Sequence, residues 1–186
     1  MANKDAAFGL KPIGKVGQNA DNSGLSEYSI AASAAAIYFN DPVEMLATGT
    51  IGVAAAGDAL LGSLGGVFYT DATTSKPTYA NHLDASNAAT DIVGFVSDDP
   101  YERFEIQSAG TPAQTNIGNC ADIVYAAGSS PNYVSGVEIS GTMAATTAQL
   151  KIIGVSRDPD NNELGSANTN LVVNINEHFL KQTAGI

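Results

Sequence analysis

The sequence predicts a mainly β protein, a compact β-barrel or β-sandwich body with an extended N-terminal arm and little helix. Three observations carry this. About ten short runs rich in β-branched and aromatic residues recur from residue 25 onward, among them LSEYSI, AIYFN, PVEML, GGVFYT, DIVGFVS, RFEIQS, ADIVYAA, YVSGVEIS, QLKIIGVS and NLVVNINEH. Turn-forming clusters such as NDP, SDDP, GSSPN and DPDNNELG separate them. Helical periodicity is scarce. Many short strands punctuated by turns are the pattern of a sandwich or barrel.

The elements follow in order. Residues 1–24 are polar and rich in Gly and Asn, with few apolar anchors. They read as an arm that is mobile alone and ordered on a partner. Residues 25–186 read as a single β domain, with an Ala/Asn/Thr-rich surface excursion near 71–91. AASAAA (31–36) has helical propensity but no charged face. TPAQTNIGN (111–119) can start a short helix, with Thr111 as N-cap and Pro112 at the first position. Alternation is clearest in the last run: Leu171, Val173 and Ile175 share one face, Val172, Asn174 and Asn176 the other. Phe104 and Ile106 alternate with Arg103, Glu105 and Gln107 in the same way.

Composition narrows the function. The chain has 186 residues, enough to bury a real core, and a formal charge of −11. An acidic surface repels phosphates, so the sequence predicts no nucleic-acid partner. No apolar stretch reaches the length of a membrane span, so no membrane partner is expected. Cys120 is the only cysteine, which rules out an intrachain disulfide and reads best as a small buried apolar residue.

No motif for chemistry is complete. GLKPIGKV (9–16) carries Gly9, Gly14 and Lys15 of a phosphate-binding loop, but Val16 stands where a metal-binding hydroxyl is required. Pro12 removes an N–H from the loop, and the following VGQNADNSG forms turns, not a helix. The segment therefore reads as an arm with Phe8, Leu10 and Ile13 as apolar pegs. His82 and His178 read as surface or strand-end histidines, since no serine sits in a nucleophile elbow. One Cys and two distant His do not make a zinc site. DPDNNELG (158–165) places Asp158, Asp160 and Asn162 at calcium-loop positions, but Glu163 occupies the glycine position and Thr169 the bidentate one. An Asx-rich turn is the expected reading. Asp98 and Asp99 share a turn and do not by themselves form an acid/base pair. The expectation is a non-enzymatic protein without metal or cofactor.

The opening Met1-Ala2-Asn3, Asp5, and Phe8-Gly9-Leu10-Lys11-Pro12 resembles the start of tailed-bacteriophage virion structural proteins. IYFNDPVEM (37–45), IVGFVSDDPYERFEIQ (92–107), IGNCADIVY (117–125), SGVEIS (135–140), QLKIIGVSRDPDN (149–161) and NLVVNINEH (170–178) follow in constant order. The Ala/Gly-rich region 47–90 departs from the pattern. The resemblance implies a virion component, and size with β character points within it to a capsid decoration (cement) protein on the outer head surface, present in the host cytoplasm during assembly. It implies the major capsid protein and further copies of the chain, as a homotrimer, as partners. Phe8, Leu10, Lys11, Pro12 and Ile13 would form the capsid-contact arm, laid along a seam between subunits. The rival readings are a tail, head–tail connector or fibre-base protein, a small hydrolase using a serine or Cys120 with His178, and a carbohydrate-binding β module.

Overall fold

The computed structural model describes residues 3–17, 24–143 and 146–181. Their strands, in chain order, are β1 (Lys11–Lys15), β2 (Ser26–Ser29), β3 (Pro42–Met45), β4 (Ile51–Val53), β5 (Leu60–Thr70), β6 (Pro77–Ala80) and β7 (Val93–Ser97). They continue with β8 (Glu102–Gln107), β9 (Cys120–Ala121), β10 (Ile123–Val124), β11 (Glu138–Ile139), β12 (Leu150–Val155) and β13 (Asn170–Ile175). Two single-turn 3₁₀ helices, Gln114–Asn116 and Phe179–Lys181, complete the regular structure. The mainly β expectation holds, in a body of sandwich type.

One sheet runs β1-β8-β13-β12-β9 and a second runs β2-β7-β5-β3-β4, with β6 added to β5; β10 and β11 form a separate ribbon. Every pairing between these strands is antiparallel. The alternation read from β13 and β8 sets the five-stranded sheet. Leu171 faces Ile106 and Val173 faces Phe104 across the ladder, and all four are fully buried. They form one hydrophobic cluster with Leu150, Ile152 and the ribbon's Ile123 and Ile139. A second cluster, built on Val43, Leu61, Leu64, Val67 and Val96, fills the other sheet. Leu60 belongs to the first cluster and its neighbour Leu61 to the second. Successive side chains on a strand point oppositely, so the start of β5 serves both cores at once.

The structure departs from expectation where glycine or proline disguises a strand. β5 starts at Leu60, not at Gly65, because LLGS reads as interrupted at Gly62. A Cβ at Gly62 would lie 2.0 Å from the Ser97 carbonyl oxygen, so close backbone approach to β7 demands glycine there. The expected excursion 71–91 instead contains β6, and buries Leu83 and Ala89 in the second cluster. AASAAA forms no helix. The helix expected to start at Thr111–Pro112 is a single 3₁₀ turn two residues later, where Asn116 Oδ1 accepts the Ala113 N–H at 2.7 Å.

Candidate interaction face and the N-terminal segment

The expected arm is extended, but its described part is laid on its own body. β1 is an edge strand, with Lys11 opposite Glu105 and Pro12 opposite Phe104, then a bulge before Gly14. Upstream of it, side-chain amides clamp the backbone. Gln107 Oε1 accepts the Ala6 N–H at 2.9 Å, and its Nε2 donates to the Lys4 carbonyl at 3.0 Å. Asn161 Nδ2 donates to the same carbonyl at 2.7 Å, while its Oδ1 accepts the Lys4 N–H at 3.2 Å. Asn3 Nδ2 reaches Thr169 Oγ1 at 3.0 Å, and Lys4 Nζ pairs with Asp160 at 2.5 Å. The Asx-rich turn after β12 is thus a receptor for the start of the chain. Asp158 Oδ1 accepts the Asp160 N–H at 3.0 Å, and its Oδ2 accepts Asn170 Nδ2 at 3.1 Å. Among the described residues, no group of three or more His, Cys, Asp or Glu is placed to hold a metal ion.

Replacing Asn161 with alanine removes both of its bonds to Lys4 and a third, from Nδ2 to the Asn168 carbonyl at 2.7 Å. The expected cost is about 2 kcal/mol, with faster hydrogen exchange at the Lys4 and Ala6 amides than at β8. Unchanged exchange at those amides would show that the clamp contributes nothing.

The five residues expected to contact a capsid fall in different environments. Leu10 offers no exposed surface to a partner: it is fully buried in the cluster under the five-stranded sheet. Its N–H donates to the Asn40 carbonyl at 2.9 Å and its own carbonyl accepts from Ser63 Oγ at 2.6 Å. Gly9 makes this insertion possible. Its φ is +73°, and a Cβ there would lie 2.3 Å from the Asn40 oxygen. Phe8 and Pro12 are half-buried. Lys11 is exposed but engaged, with Nζ 3.2 Å from Glu105 Oε2 and 5.9 Å from the Phe8 ring centroid. Ile13, at the bulge, is 47% exposed and is the apolar peg that remains available.

Burial on the outer face of the same sheet was not legible. Glu105 and Gln107 alternate with core residues, as polar outward residues should, yet both are buried; Glu102, on the face of Phe104 and Ile106, is buried too. The N-terminal segment and the turn after β12 cover this end of the face. Glu105 is held by Lys11 and by the Ser156 hydroxyl.

The candidate chemical groups are spread over the fold. His82 stacks on Tyr133 with ring centroids 3.8 Å apart, and its Nε2 lies 3.3 Å from Asp84. Cys120 is buried on β9. Asp98 accepts from Ser26 Oγ at 2.9 Å and from Tyr28 Oη at 2.6 Å, tying β2 to the turn before β8. Burial, then the bond to Asp98, pushes the Tyr28 hydroxyl up from its ordinary value. Asp99 takes Lys15 at 2.6 Å, and that contact holds its carboxyl below the usual range. His178, expected as a surface or strand-end histidine, lies just past the end of β13 and is 1% exposed; Nδ1 accepts the Leu180 N–H at 3.1 Å and Nε2 has no hydrogen-bond partner among the described residues.

Comparison with models of protein families, with curated proteins and with solved structures finds no match to this chain.

Proposed function

We propose that this chain is a decoration protein of a tailed-phage head. It would bind the outer surface of the expanded shell through the major capsid protein and act as a homotrimer. The observation that carries this reading is where the phage-like segments fall in the fold. FGLKP leads into β1, YERFEIQ forms β8, NCA ends in β9, QLKIIGV forms β12 and NLVVNI forms β13. Those five strands are one sheet. The unmatched region 47–90 instead supplies β4, β5 and β6 of the other sheet. The phage-like segments thus supply every strand of that sheet, and also β3 and β7 of the other sheet and both strands of the ribbon.

The residues also revise how such a protein would hold the shell. With Leu10 in the core, the described part of the N-terminal segment is a fixed edge of a rigid body, not a tether. A preformed surface loses less conformational entropy on docking than a free arm would. Three copies would raise the effective concentration of the second and third contacts. The acidic balance suits an exterior site away from packaged DNA.

The test is co-sedimentation of the purified protein with empty expanded heads, with the bound copies counted. Saturation at high copy number is expected. Absence of binding removes the reading, and a few copies per particle would move the protein to the tail, connector or fibre base.

A further inference from the structure

On the outer face of the five-stranded sheet, an open groove of about 540 Å³ crosses β1, β8, β13 and the end of β12. Lys15, Arg103 and Arg157 line it, three of the chain's eight basic side chains, in a protein with nineteen acidic ones. Neither arginine forms an ion pair among the described residues. The Nε of Arg103 is buried without a hydrogen-bond partner among the described residues. A desolvated guanidinium N–H left unmatched is unfavourable, and a carboxylate is its best-fitting partner because the two forks pair bidentately. The groove also has apolar surface: Val155 and Val172 line it beside Ile13. Over Gly14 it is open, since a Cβ there would meet nothing within 4 Å.

We propose that this groove docks a carboxylate-bearing segment of a second copy of this chain. A groove of this size holds several side chains, and a small free anion would leave Ile13 and Val172 uncovered. A nucleic acid would meet the field of a −11 chain around the three cations. A second copy matches in charge: its surface is acidic where this groove is basic. Contact between two different patches of one chain is a heterologous interface, the kind that generates rings. The inference rests on the self-assembly part of the decoration reading and assigns it a surface.

The experiment is sedimentation equilibrium of the full chain at low and high salt, for wild type and Arg103→Gln/Arg157→Gln. Wild type is expected to self-associate, more weakly at high salt. The double variant should raise the dissociation constant about thirtyfold or more, the usual result of truncating one side of a docked charge pair. Arg157→Gln alone, at an exposed position, should give a smaller shift in the same direction and keeps the test open if the double variant folds poorly. A wild type that is monomeric at every concentration overturns the proposal. So does self-association indifferent to both the arginines and salt. Head binding separates the two ideas: a monomer that still saturates heads removes self-docking and leaves the decoration reading standing. Arginine-dependent self-association without head binding does the reverse.

Discussion

Gly9→Ala is expected to destabilise the protein by about 3 kcal/mol or more, and Leu10→Ala by about 2–5 kcal/mol. The two residues act together. Gly9 turns the chain at φ +73°, with the Asn40 carbonyl oxygen 2.3 Å from where a Cβ would stand and Ser135 Cβ 2.5 Å away. Backbone on one side and a buried side chain on the other leave little room to yield. Beyond that turn, Leu10 enters the cluster of Phe104, Ile106 and Leu171. Truncating it removes apolar contact and leaves a cavity under the sheet. Gly14→Ala is the control. Its φ of +143° is also unfavourable for a side chain, but nothing lies within 4 Å of the new Cβ. Only backbone strain of about 1 kcal/mol is expected there. Urea denaturation of the three variants measures the differences. If Gly9→Ala costs no more than Gly14→Ala, the N-terminal segment is not wedged into the body as described. The same packing means that deleting residues 2–15 would remove an edge strand and a core side chain together. Lost head binding by that deletion would then report unfolding, not a lost contact.

The β class was legible because β8 and β13 alternate strictly, and their alternation is what the core uses. The role of GLKPIGKV was half legible. Its failure as a phosphate cradle follows from Pro12 and Val16 alone. Its place as an edge strand does not, because five residues containing Gly14 and Pro12 carry little β signal. What makes β1 is the long-range ladder to Glu102–Glu105, which no local window contains. β5 was foreshortened for the related reason that Gly62 and Gly66 interrupt its pattern. The groove was illegible altogether. Lys15, Arg103 and Arg157 are scattered in sequence and meet only because β1, β8 and β12 lie in one sheet. His178 could have been flagged by one signal: it comes just after an apolar strand and is succeeded by Phe179 and Leu180.

Two buried titratable groups should make opposite contributions to stability against pH, each visible when the other is removed. Asp41 is fully buried; its Oδ2 accepts the Tyr38 N–H at 2.8 Å, while Oδ1 has no hydrogen-bond partner within reach among the described residues. Burial pushes its carboxyl up to about 6 from 3.8, against the opposing effects of Ser135 and the Tyr38 amide. The folded state therefore holds this proton where the unfolded state has released it. Its contribution to stability is complete below pH 3.8 and is lost as pH rises to about 6. His178 is pushed down to about 4 from 6.5, first by burial and then by Lys181, with Asp98 and Asp99 opposing. Here the unfolded state takes up the proton first. The contribution is complete above pH 6.5 and is lost as pH falls to about 4. Each is worth about 3 kcal/mol across its window, so between pH 4 and 6 they largely cancel. Asp41→Asn keeps an acceptor for the Tyr38 N–H and removes the first titration. His178→Asn keeps an acceptor for the Leu180 N–H and removes the second. Relative to wild type, Asp41→Asn should lose about 3 kcal/mol as pH falls from 6 to 4. His178→Asn should gain about as much over the same fall. Subtracting the wild-type curve cancels Asp71 and Asp91, whose carboxyls are held low by hydrogen bonds that neither substitution touches. Difference curves of equal slope for the two variants would show that neither group is buried in its ionisable form as the structure places it.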